Sequence, residues 1–389
     1  MTLSTSSPRY GLILSGGGAR AAYQAGVLQG ISNIIGTECG PHPFPVITGI
    51  SAGAINASFV AAAETSFADQ TLKLTEVWNE LEPESVLRTD VMSLGKLGAG
   101  WIRDLSLGGM FGNSRSTHLL DSTPLARLLD KKINFNQIQE NIHSKALHGV
   151  AVSATNYATG TSNAFFNSLE VENWARSSRI GIKAEINLDH VLASSSIPFI
   201  FKPVRINKSF YGDGGVRSNA PFSPAIHLGA DRLVAVSVRH FRDEMETMEI
   251  NQQLEMNSIA LSDIVGVMFN SLFLDAIEFD YERLQRVNDT VRLLQQAESL
   301  KGKSHLRMIP TLLIRPSVDL GILAAEQFER FPHMLRYLLK GIGASRERGA
   351  DLLSYIAFDK AYTSKLIEIG ISDTMKRKDE IRAFFELEL

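Results

Sequence analysis

Of the 389 residues in this chain only Cys39 is a cysteine, which excludes an intrachain disulfide framework and any metal site built from several thiolates. Its plain reading is a small residue in a loop. No charge sign is in excess either: 39 Lys and Arg stand against 42 Asp and Glu, a net charge of −3, and no long basic block occurs. That balance gives no electrostatic case for a nucleic-acid partner. Long apolar runs are also missing. The longest candidate, Ser258 to Phe279, is broken by Asp263, Asn270 and Asp275, whereas a spanning helix needs roughly 18 or more apolar residues. The opening stretch MTLSTSSPRYG has no apolar core of signal-peptide length. The expectation is a cytoplasmic protein that does not span a membrane and needs no metal or other cofactor.

What is present is the composition of a globular chain, 44% hydrophobic and 21% charged. Tyr10 to Ser15 reads as a short buried strand and Ala19 to Ile35 as a helix. VITGIS then reads as a second strand and AGAINASFVAAAE as a second helix. Strand, turn, helix, repeated at once, predicts an α/β fold with a mainly parallel sheet. Further strands are expected in ALHGVAVSATNY, TSNAFFN and DRLVAVSVR, and a hairpin in IPFIFKPVRINKSFYGDGG with its turn near Asn207. From about Glu244 the pattern turns helical and more charged, with one strand-like break at IPTLLIRP. The expected division is an α/β region over 8–243 and a mainly helical region over 244–389. An irregular, glycine-rich apolar insertion falls at about 88–116.

Three features could carry chemistry. TGISAGAIN contains Gly49, Ser51 and Gly53, a Gly-x-Ser-x-Gly pattern between a buried strand and an alanine-rich helix. Such a turn lifts a serine hydroxyl clear of the backbone, and its small neighbours let strand and helix approach closely. The run Gly16-Gly17-Gly18 before the first helix could cradle a phosphate, donate N–H groups to an oxyanion, or simply turn the chain. The phosphate reading is weak. Gly16, Gly18 and Ala21 fit the loose dinucleotide spacing, but Glu38, at the distance of the acidic partner, lies in a Pro/Gly loop with no strand before it. Asp213 sits between Gly212 and Gly214-Gly215, where it could serve a nearby hydroxyl as base. Taken alone it reads as a turn former. His190, His227 and His240 fall in helix or solvated-loop patterns, and none stands in a glycine-bounded turn that would aim it at a serine.

Together SGGGAR, GISAGAINA, SATNYATG, LASSSIPFIFKPV and YGDGGVRSNAP resemble, in order and approximate spacing, the patatin-like phospholipases. The resemblance runs from about Tyr10 to Arg239. It implies a three-layer α/β/α core with a Ser–Asp dyad in place of a triad. Ser51 would be the nucleophile and Asp213 its partner. Gly16, Gly17, Gly18 and Ala19 would form the oxyanion hole, with Arg20, Gly214 and Gly215 in support. One position departs from the family pattern: Ala21 stands where a glycine is frequent, which is harmless in a helix and strained at positive φ. Arg20 could hold an acidic group or be a surface charge.

The resemblance also implies hydrolysis of lipid acyl esters through an acyl-enzyme, with a lipid or phospholipid as partner. An acyltransferase with the same dyad, and a non-catalytic lipid- or nucleotide-binding protein on this fold, are the alternatives. The apolar stretch around residues 91–111, with Trp101, Met110 and Phe111, reads either as a peripheral membrane contact or as ordinary packing of an irregular insertion.

Overall fold

The computed structural model describes residues 8–88, 118–253, 258–296 and 306–388. The expected apolar contact segment at 91–111 lies outside the described residues. The strands are β1 (Tyr10–Leu14), β2 (Val46–Ile50), β3 (Gly149–Asn156), β4 (Ser162–Asn167), β5 (Trp174–Arg176), β6 (Arg179–Lys183), β7 (Val204–Ile206), β8 (Ser209–Asp213), β9 (Arg232–Val236) and β10 (Thr311–Ile314), and all but β5 and β6 fall in runs the sequence marks as extended. They form one ten-stranded sheet whose main path is β10-β9-β1-β2-β3-β4-β6-β5. From β10 to β3 every pairing is parallel. These strands are near-continuous apolar runs because both their faces are covered.

Alternation along the strands divides the core in two. Leu12, Leu14, Ile47, Val150 and Val152 point into one cluster with α1 (Ala22–Ile35), α2 (Ala52–Ala61) and the helix Lys360–Lys376. Ile13, Val46 and Ala151 point into another, with Phe222, Ala225, Ile277 and Leu284. The result is a sheet between two helical layers. β10, from the helical C-terminal region, pairs with β9 through Thr311 to Ile314. Among the described residues no helix is long and apolar enough to cross a membrane.

Elements that escape the sequence pattern include β5, β6, the short helix Pro83–Val86 and the helix Phe135–His143. β5 and β6 lie at the end of the sheet path and are largely half-buried or exposed, so neither carries a clean apolar alternation. The first helix also begins differently. Gly18–Ala21 is a 3₁₀ turn and the α-helix starts at Ala22, because the chain leaves two glycines at φ 153° and 58° and needs a tight first turn.

Register positions the site. β2 runs parallel to β3 and ends with Ile50 opposite Ser153. β8 runs antiparallel to β3 and ends with Asp213 opposite Ala154. β4 occupies the other edge of β3, so β2 and β8 share one edge and run toward each other. The residues at their meeting ends are Ser51 and Asp213.

Candidate active site

Ser51 is the hinge between β2 and α2, with φ 56° and ψ −130°, a conformation that costs a non-glycine residue roughly 1–3 kcal/mol. Its close quarters require glycine two residues on: a Cβ at Gly53 would lie 2.2 Å from the Leu14 carbonyl oxygen. The strain is held by hydrogen bonds. The Ser51 N–H donates to Ser194 Oγ at 2.9 Å, and Ser194 in turn donates to the Ser153 carbonyl at 2.6 Å.

The Ser51 hydroxyl donates to Asp213 Oδ2 at 2.5 Å, short enough for a charge-assisted O–H···O⁻ bond. Asp213 Oδ1 accepts from the Gly215 N–H at 2.8 Å. The aspartate backbone is fixed on both sides, its N–H donating to the Ser196 carbonyl and its own carbonyl accepting from Thr155 Oγ1. Ser51 is 2% and Asp213 0% exposed. Burial penalises the carboxylate and pushes Asp213 up to about 7, the bonds from Ser51 and Gly215 pulling back only part of the way.

The glycine run reaches this pair from β1. A Cβ on Gly16 would come 3.0 Å from Ser51 Cβ, so the loop passes directly over the serine. Gly16 and Gly17 lie outside every helix and strand, and among the described residues neither N–H is claimed by a protein acceptor. Gly18 opens the 3₁₀ turn, whose first N–H groups have no partner within it. Ala21 has φ −66° and ψ −10°, helical backbone that alanine adopts without strain, so its departure from glycine is harmless. The loop is braced from below: Gln24 Nε2 donates to the Ser15 carbonyl and Asn56 Nδ2 to the Ala21 carbonyl, while Trp78 Nε1 donates to Asn56 Oδ1.

Arg20 is not a surface charge. It is 3% exposed, donates from Nε to Ser354 Oγ at 2.6 Å and from Nη2 to Asp351 Oδ1 at 2.8 Å, and lies over the Tyr355 ring. The three histidines weighed in the sequence are engaged elsewhere. His190 closes the capping box of the helix Leu188–Ser194, His227 stacks on Trp174, and His240 bonds the Pro316 carbonyl. Sequence reasoning passed over Ser194, Ser196 and Thr155 as individual contributors, although LASSS and SATN both lie inside motif blocks. Their density of small hydroxyl residues at buried strand and helix ends is the signal that could have found them.

From Ser51 and Gly18 an apolar cavity leads away between α2, α3 (Phe67–Asn79) and the helix Thr123–Lys132, lined by Ile55, Phe59, Leu74, Trp78, Leu125 and Leu129. Among the described residues no group of three or more His, Cys, Asp or Glu side chains is arranged to hold a metal ion.

The family model of patatin-like phospholipases matches residues 12–226. A probable lipid hydrolase of Invertebrate iridescent virus 6 is 27% identical over 222 residues, 55% of this chain and 62% of that protein. A cGAMP-activated phospholipase of Pseudomonas aeruginosa is 27% identical over 225 residues, 57% of each chain. The chain thus spans about three fifths of the length of these curated relatives. The crystal structure of VipD from Legionella pneumophila aligns with 95% of this chain and 72% of its own at 14% identity, with a TM-score of 0.32. A likeness that loose adds nothing to the fold described above.

Proposed function

Because the chain belongs to the patatin-like phospholipase family, we propose that it hydrolyses fatty-acyl esters of lipids with Ser51 as nucleophile and Asp213 as general base. The observation that carries this reading is the 2.5 Å bond between the Ser51 hydroxyl and the Asp213 carboxylate, buried at the mouth of an apolar cavity. The names of two relatives, a lipid hydrolase and a phospholipase, agree with a lipid ester as substrate.

The proposed steps use this geometry. The Ser51 oxygen attacks the ester carbonyl while its proton passes to Asp213 Oδ2. A carboxylate raised to about 7 accepts that proton far better than one at the ordinary value. The negative charge that develops on the carbonyl oxygen meets the backbone N–H groups of the Gly16-Gly17-Gly18-Ala19 loop. Asp213 returns the proton to the leaving alcohol, freeing it and leaving an acyl-serine. Water then attacks the acyl-serine, giving its proton to Asp213, which passes it to the departing Ser51 oxygen as the fatty acid is released. Throughout, the acyl chain lies in the cavity lined by Phe59, Trp78 and Leu129, where its burial gains about 0.8 kcal/mol per methylene.

Labelling with a serine-reactive phosphonate, followed by peptide mapping, tests the assignment. An adduct on Ser51 that is lost in Asp213→Asn supports it. An adduct at another serine, or one indifferent to residue 213, refutes it.

A further inference from the structure

The helix Leu261–Phe273 has two opposed faces. At 100° per residue, Ser262, Gly266, Phe269 and Phe273 project inward and are buried. Leu261, Ile264, Val267 and Met268 project outward with Ser271, and the four apolar residues are between 44% and 66% exposed. Ile259, just before the helix, is 65% exposed. No charge interrupts this outer face. The one acid in the helix, Asp263, is used at its start, accepting from the Ala260 N–H and from the Gly349 N–H.

The segment 342–349 packs over that start. The Ser262 N–H donates to the Ile342 carbonyl, and Arg348 Nη2 donates to Ser258 Oγ at 2.9 Å. Arg348 therefore stands beside the start of the apolar stripe. The neighbouring Glu347 accepts from the Ser345 hydroxyl.

The inner face reaches the candidate active site. Phe269 and Phe273 pack on the Tyr355 ring, and a Cβ on Gly215 would meet Phe273 Cδ1 at 2.3 Å. Gly215 is the residue whose N–H holds Asp213.

We propose that the outer face of the helix Leu261–Phe273 docks the protein on an anionic lipid surface. The inference rests on the lipid-hydrolase reading and adds to it where the lipid is met. A charge-free stripe with Arg348 at its start suits an anionic bilayer, the apolar side chains entering the acyl boundary and the guanidinium group meeting phosphate. A second copy of the chain suits it less. Five or six outward side chains fall far short of the roughly 20–30 residues a side that stable protein interfaces use. Docking here sets the turn that holds Asp213 about one helix diameter, roughly 10 Å, from the lipid.

The test is co-sedimentation with vesicles of phosphatidylcholine and phosphatidylglycerol in equal parts, using the full chain. The double variant Val267→Asp, Met268→Asp is expected to lower vesicle partition by about tenfold or more with its melting temperature unchanged. Val267→Ser, a gentler change, should lower it in the same direction and serves if the double variant unfolds. Binding should also weaken as salt rises. Undiminished binding in both variants, or no binding by the parent, overturns the proposal. So does a parent dimer that the substitutions dissociate, since that assigns the face to a second copy. Ser51→Ala separates the two readings. It should bind vesicles as the parent does while losing turnover of a soluble short-chain ester. A parent that binds vesicles but hydrolyses no ester refutes the enzyme reading and leaves the docking face standing.

Discussion

The backbone carbonyl of Tyr355 occupies the space a side chain on Gly18 would need: a Cβ there would lie 2.2 Å from that oxygen. The helix Ala350–Ile356 is thus pressed against the glycine loop, and Gly18 at φ 58° is fixed by contact as well as by torsion. Gly18→Ala must displace either the helix or the loop. Its expected effect is loss of ester turnover by about a hundredfold or more, of the order seen on losing one oxyanion donor, with a lowered melting temperature. Kinetics and calorimetry on the one variant check both.

Ser51 and Asp213 act as a unit in the proposed chemistry, so their losses should not add. Ser51→Ala and Asp213→Asn are each expected to lower kcat by roughly 10³- to 10⁶-fold. The double variant should be no slower than the worse single one. Multiplicative losses in single-turnover assays would mean that the two residues contribute separately.

The pH profile should carry the Asp213 signature. With the carboxyl raised to about 7 by burial, kcat/KM should fall about tenfold per pH unit below that value and level off above it. The stability effect has the opposite sense. A folded-state value above the unfolded one means that the folded protein holds the proton more tightly. The stability this contributes is full below the ordinary carboxylate value and is lost as pH rises through about 7. Asp213→Asn, which cannot ionise, should therefore raise the melting temperature above pH 7 and gain less at pH 5. Calorimetry at two pH values decides it.

Arg20 links the loop to the C-terminal helices, and its partner Asp351 is 37% exposed at the side chain. Asp351→Ala leaves the guanidinium buried without its carboxylate, for a loss of about 1–2 kcal/mol after allowing for solvent screening. If the link positions the loop, kcat should fall while KM stays within about twofold, and Asp351→Glu should recover part of the loss. A change in KM alone would remove the positioning role.

Leu129 lies on the cavity wall, in the helix Thr123–Lys132. Leu129→Trp should move the preferred ester toward shorter acyl chains, lowering kcat/KM about tenfold on long chains and little on short ones. A series of p-nitrophenyl esters of increasing chain length reads this directly.

Much of the site is legible in the sequence because its requirements are local. The strained turn at Ser51 needs small neighbours, and Gly49 and Gly53 announce it. The turn after Asp213 needs Gly214 and Gly215, and they announce that. The meeting of the two turns is not local. It depends on β2 and β8 sharing an edge of β3, a register that no short pattern encodes. The partners of Arg20 are equally hidden, since Asp351 and Ser354 lie more than 330 residues away and look like any helix surface. β5 and β6 were missed for a plainer reason: at the end of the sheet path their side chains are too exposed to alternate.

One short stretch grips both halves of the pair. Ser194 takes the Ser51 N–H on its hydroxyl, and Ser196 takes the Asp213 N–H on its carbonyl. Residues 194–196 therefore act as a gauge block, fixing a separation between two groups to which they do not belong. For redesign, the unit to transplant or vary is this gauge together with Ser51 and Asp213. A library that varies the pair while swapping the loop after Ser194 would be sampling mismatched gauges, and most of its members would keep both reactive groups and lose the 2.5 Å between them.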